Sequence, residues 1–180
     1  MLKRLSVPIA VLVFTLACVT LPTPIPAVPP ALPPTVSPAP VDITPTIDPA
    51  HRSHLPNPAL TPGDVLPVTV SDICVAGYSS KVRAVTEAVK NQVYLEYGIT
   101  SHKPYEYEVD HLISLELGGS NSVKNLWPEP YAGDWNARVK DKIENKLHAL
   151  VCDGQLDLQT AQQEIANDWI TAYIKYIGQP

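Results

Sequence analysis

The placement of the prolines constrains this chain more than any other feature. Fifteen of its twenty prolines fall between Pro22 and Pro67. Proline fixes φ and removes a backbone donor, so neither helix nor sheet propagates through such a tract. Few large apolar residues remain there to bury. Residues 19–66 read as a disordered linker with polyproline II bias, a stalk that reaches on the order of 100 Å at ~3 Å per residue. A ligand for proline-binding modules is the sharper reading of the same tract. His51 and His54, at its end, read as solvated loop residues. The 180 residues thus divide into a short leader, a linker and one small domain over residues 67–180.

The leader, residues 1–18, is "MLKRLSVPIAVLVFTLAC". Lys3 and Arg4 make a positive start. Val7 to Ala17 is apolar and too short to span a bilayer comfortably. The "TLAC" ending resembles the lipobox of bacterial lipoprotein signals, with Thr15 where Leu is usual. That resemblance makes Cys18 the lipidated first residue of an exported, membrane-anchored protein. An ordinary secretory signal or an uncleaved anchor are the alternatives.

From about residue 68 the pattern changes. "VTVSDICVAGYSS" alternates apolar and polar residues and reads as a short strand or extended segment with a turn at Gly77. Thr86 to Tyr97 reads as a helix capped by Thr86, with Val89, Val93 and Tyr97 at four-residue spacing and Gly98 as its stop. Residues 134–152 form a second helix with Trp135, Val139, Ile143, Leu147 and Val151 as its stripe, stopped by Gly154. Residues 157–177 form a third, capped by Asp157 and carrying Leu158, Ala161, Ile165 and Trp169. If Cys18 carries lipid, Cys74 and Cys152 remain as an even pair in an exported domain. A disulfide between them would contribute roughly 3–4 kcal/mol by chain entropy. Two buried free thiols are the plain alternative.

The segment "YEVDHLISLELGGSNSVKNLWPEP", Tyr107 to Pro130, places a carboxylate and an imidazole side by side in an otherwise apolar run. It reads as a strand ending at Asp110 and His111, a turn through "LGGSNS", and a short second strand "KNLW" ended by Pro128 and Pro130. The helix from about Asp134 follows. Taken singly, an Asp-His pair is commonly structural, Asn125 is a turn or cap residue, and Glu144 with His148 is a solvated helix face. Trp127, Trp135 and Trp169 read as core, Gly118 and Gly119 as backbone geometry.

Taken together, these residues resemble the HNH endonucleases, whose ββα-metal unit has this order. "DH…LGGSN…N" matches their pattern of an acidic or His ligand, an adjacent catalytic His, a Gly-containing loop and a later Asn. The span from about Leu55 to Ile177 also resembles an exported, lipoprotein-like bacterial subgroup in "LPNPALTPGD", "ICVAGYSSKVR", "NLWPEP" and "KDKIENKLHALVC". The implied fold is α+β, a small, mostly helical domain around a ββα-metal (HNH-like) unit. The implied activity is metal-dependent hydrolysis of phosphodiester bonds in DNA, or RNA, outside the cytoplasmic membrane.

The resemblance also assigns roles. His111 is the general base, since a neutral imidazole suits proton abstraction near pH 7. Asn125 would hold that imidazole through its side-chain carbonyl. Asp110 would bind a divalent ion, with Glu144 and His148, four apart on one helix face, as further ligands. Asn145 competes with Glu144 for that place. Glu116 is a loop carboxylate near the same site. Carboxylate ligands favour Mg²⁺ or Mn²⁺, whereas the two helical His of longer-known members would suit Zn²⁺ or Ni²⁺. Lys140 and Arg138 would meet phosphate.

The formal net charge of −5 and a pI near 5.4 exclude a bulk electrostatic attraction to nucleic acid. Binding must come from a local patch such as Lys124, Arg138, Lys140, Lys142 and Lys146. The competing expectation is a non-catalytic, surface-displayed module of the same fold that binds an envelope component or a protein.

Overall fold

The computed structural model describes residue 49 and residues 51–179. The leader, Cys18 and most of the proline-rich tract lie outside the described residues. The domain has short helices α1 (Val70–Ile73) and α2 (Tyr78–Val82), then α3 (Glu87–Glu96). Strands β1 (Tyr107–His111) and β2 (Leu126–Pro130) follow, then the long helices α4 (Ala137–Cys152) and α5 (Leu158–Tyr176). It is α+β and mostly helical.

The two strands pair antiparallel, with Asp110 opposite Trp127, His111 opposite Leu126 and Glu108 opposite Glu129. Pro128 lies inside β2, and Pro130 is its last residue. A two-stranded sheet has only edges, and a residue facing outward there needs no N–H. The segment 70–73 is helical where alternation pointed to a strand. Thr69 and Asp72 form a reciprocal capping box, and that local closure outweighs the alternation. The turn at Gly77 is present, with φ of 79°.

The long helices form where their periodicity placed them. Thr86 caps α3 through the Val89 N–H, Asn136 caps α4, and Asp157 caps α5 through the Thr160 N–H. Ile143, Leu147 and Val151 of α4 pack with Leu158, Ala161, Ile165 and Trp169 of α5 in one core. Trp127 is buried with them, and Trp135 stacks edge-on against Trp169 and Tyr173. Helix α5 bends at Asp168, whose backbone is extended (φ −161°, ψ 92°). Its Oδ1 accepts from the N–H groups of Ile170 and Thr171, so this buried carboxylate caps the second half of the helix.

Folded structure begins before residue 67. His51 is buried, with Nδ1 2.9 Å from Asp168 Oδ2. The Trp169 indole donates to the His54 carbonyl. Thr61 is buried and donates to the Leu126 carbonyl at 2.8 Å. Val65 bridges to Gly119, and Asp64 Oδ2 accepts from Ser120 Oγ at 2.6 Å. The end of the proline-rich tract is therefore an outer layer of the domain, and His51 is not a solvated loop residue. Proline content concealed this, because the segment is fixed by polar contacts to distant residues and not by a repeating apolar pattern.

Cys74 and Cys152 form a disulfide with Cα atoms 5.7 Å apart, within the usual span. It ties the end of α1 to the last residue of α4. Among the described residues, no helix is long and apolar enough to cross a membrane.

Candidate active site

Alternation along β1 and β2 places Glu108, Asp110 and Glu129 on the sheet face that meets α4. Lys140 reaches into that face from α4. It is 0% exposed, and its Nζ donates to Asp110 Oδ2 at 2.8 Å, to the His111 carbonyl at 2.7 Å and to Glu144 Oε1. Glu129 Oε2 is 3.8 Å away. An ammonium has three donors, and here all three are used. Lys140 thus faces no phosphate; it is the internal cation of a carboxylate cluster. Spacing on the helix gave its side correctly, but not its burial.

The cluster sets its own protonation. Burial alone would lower the Lys140 pKa, but Asp110, Glu144 and Glu129 outweigh it and hold the amine charged. Burial would likewise raise Asp110, yet the adjacent ammonium keeps it below the usual carboxylate range. Burial pushes Glu144 up to about 8, and Glu129 well above the ordinary value. Both Glu129 oxygens are buried without a hydrogen-bond donor. One ammonium faces three carboxyl groups.

His111 lies on the other side of the β1 terminus and is 2% exposed. Its Nε2 is 3.2 Å from Asn121 Oδ1. That oxygen also accepts from the Ala84 N–H, while Asn121 Nδ2 donates to the Val82 carbonyl. The amide orientation is thereby fixed, and Nε2 must be the protonated nitrogen of the neutral ring. Nδ1 keeps its lone pair, 4.0 Å from Asp110 Oδ1. Burial holds the imidazole pKa below its ordinary value, with Arg83 and Lys140 adding to the effect against Asp110 and Asn121.

Asn125 does not touch the imidazole. It is completely buried and fastens the loop: Nδ2 donates to the Ile113 and Ser120 carbonyls, and Oδ1 accepts from the Ile113 and Asp64 N–H groups. Gly119 passes so close that a Cβ there would lie 1.8 Å from the Ile113 carbonyl oxygen. Asn121, not Asn125, orients His111. The "GGSN" segment contained the signal, but a sequence cannot tell which of two asparagines reaches the ring.

A cavity of about 120 Å³ opens beside these groups. It is lined by Arg83, Asp110, His111, Glu116, Glu144 and Asn145, with Ser79, Ser114 and Leu115. Arg83 is exposed and was not singled out by sequence; it arrives from the end of α2, outside the ββα unit. Arg138 is exposed in the first turn of α4 and is not among the lining residues. Nor is His148, which sits against the disulfide with Nε2 3.2 Å from the Ile73 carbonyl and 3.4 Å from Cys152 Sγ. The structure therefore brings Asp110, His111 and Glu144 together and leaves His148 apart.

The donor set fits a small divalent ion. Asp110 and Glu144 both line the cavity, each with one oxygen held by Lys140 and one not. The cluster sets three carboxyl groups around one ammonium, and an ion bound at Glu144 would take the place of the proton that its raised pKa retains. The carboxylates of Asp110 and Glu144 offer oxygen ligands, which suit Mg²⁺ or Mn²⁺ better than Zn²⁺ or Ni²⁺. Comparison of the chain with known protein families, with curated proteins and with solved structures finds no match.

Proposed function

We propose that this domain is an HNH-type endonuclease that hydrolyses phosphodiester bonds, in DNA before RNA. The observation that carries the proposal is the His111 ring. It is buried, kept neutral, fixed with its Nδ1 lone pair free, and set in a cavity that also holds carboxylates and a guanidinium. His111 Nδ1 accepts the proton of the attacking water. Asn121 fixes the ring through Nε2 and so leaves Nδ1, on the Asp110 side, as the basic nitrogen. Arg83 meets the phosphate, as its planar fork suits. Asp110 and Glu144 would hold a divalent ion, which when bound supplies charge neutralisation at the phosphate and the leaving oxygen. Lys140 holds one oxygen of each carboxylate and so positions both. Asn125 and Gly119 keep the loop closed around the site.

We place the domain outside the cytoplasmic membrane, tethered through Cys18. The leader sequence and the Cys74–Cys152 disulfide support that reading. Plasmid nicking by the purified chain, with Mg²⁺, Mn²⁺, Zn²⁺ or chelator and beside His111→Ala, tests the activity. Metal-dependent nicking that disappears in the variant is the expected result. A surface-displayed binding module is the second reading, favoured by the cation that already fills part of the carboxylate cluster. Unchanged thermal stability across millimolar Mg²⁺ and Mn²⁺ would select it.

A further inference from the structure

His148 and the Cys74–Cys152 disulfide form a second constellation, next to the His111 cavity and sharing Glu116 with its lining. One potential ligand atom from each of Cys74, His148 and Cys152 lies within 4.8 Å of the others. His148 precedes Cys152 by one turn of α4, with Nε2 3.4 Å from the sulfur. Glu116 stands on the other side of the imidazole, in the loop after β1, with Oε2 3.9 Å from His148 Nδ1. Its Oε1 is buried and has no hydrogen-bond partner. An open pocket of about 380 Å³, lined by Cys74, Glu116 and His148 among others, gives access. While the disulfide is closed, neither sulfur is a thiolate, and the group cannot ligate an ion.

We propose that opening the disulfide turns this corner into a zinc site, with Cys74, Cys152 and His148 as ligands, solvent in the fourth position, and the Glu116 carboxylate holding the far nitrogen of the His148 ring. Two thiolates and an imidazole form a donor set for Zn²⁺, with a carboxylate behind the imidazole, whereas the oxygen pair at Asp110 and Glu144 suits Mg²⁺. Little movement is needed. A tetrahedral ion with Zn–S bonds near 2.3 Å holds its sulfurs roughly 3.8 Å apart. The two Cα atoms already stand 5.7 Å apart, so side-chain rotation separates the sulfurs while the backbone stays in place. His148 exchanges its contact at the Ile73 carbonyl for the ion. The chemistry balances as two steps. A dithiol reductant takes the disulfide to two thiols and is itself oxidised to a disulfide. Zinc then displaces both thiol protons to solvent, with no further redox change.

The test uses the full-length protein. It is reduced with excess dithiol, freed of reductant without air, and titrated with Co²⁺ as an optical probe of thiolate ligation. The expected result is a strong thiolate-to-cobalt charge-transfer band in the reduced protein, displaced by Zn²⁺ and absent from the oxidised protein. His148→Ala should weaken binding by at least about tenfold. A reduced protein that keeps its helical circular dichroism but gives no such band overturns the proposal, as does a band indifferent to His148→Ala. If reduction unfolds the apo chain, reduction in the presence of Zn²⁺ decides: retention of fold only with Zn²⁺ supports the site, and loss of fold either way overturns it.

Discussion

Removing the Lys140 ammonium would leave Asp110, Glu144 and Glu129 facing one another without a cation. Breaking a buried charge cluster in this way costs about 3–5 kcal/mol. Lys140→Met should therefore lower stability by that amount in urea unfolding at pH 7 with chelator present. An unchanged midpoint would mean that the amine is not the cluster's counter-ion. At His111 the direction of the pH effect follows from its depressed pKa. The folded ring resists protonation that the unfolded ring accepts near pH 6.5. Its contribution to stability is complete above about pH 6.5 and is lost as the pH falls through that value toward the folded pKa. A melting-temperature profile should decline on the acid side, and His111→Gln should flatten that decline. Nicking activity should hold to a lower pH than an unperturbed imidazole allows, because the base stays neutral there.

At the scale of elements, what was legible depended on whether a segment carries its own signal. The helices α3, α4 and α5 announce themselves by an apolar stripe, with a cap at Thr86 and Asp157 and a glycine stop at Gly98 and Gly154; both caps hold in the fold, while Asn136, the cap of α4, carries no such signal and Trp135 precedes that helix. The alternation before Cys74 points to a short strand or extended segment where residues 70–73 are helical, since a few residues of alternation look alike whether they are paired or coiled; the Thr69/Asp72 box separates the two. At the β1–β2 loop the pattern identified the element, but the long-range contacts that assign Asn121 to His111 and Asn125 to the loop backbone have no local trace. Leu147→Ala, in the fully buried α4–α5 seam, should cost about 2–5 kcal/mol. Chemical denaturation that shows less than about 1 kcal/mol would contradict the packing of that seam.

Across the whole molecule, two long-range ties hold the domain. The disulfide spans 78 residues and, by loop-closure entropy, contributes about 4.5 kcal/mol. Reductant without added metal should lower the melting temperature, and Cys152→Ser should become insensitive to it. The second tie is residues 51–66, whose polar contacts to Asp168, Leu126, Gly119 and Ser120 clamp the site loop from outside. A fragment beginning at residue 67 should melt well below one beginning at residue 49. Equal melting would restore the composition-based boundary. Composition located the proline tract but not where folded structure begins, since that depends on partners up to 117 residues away.

The most direct measurement is nicking of supercoiled plasmid by the chain from residue 49 onward, with Mg²⁺, Mn²⁺ or chelator, for wild type and His111→Ala. Nicking that requires the ion and is lost in the folded variant is the predicted result. A folded, Mg²⁺-loaded wild type that leaves the plasmid intact, or a variant that nicks as well as wild type, would contradict it.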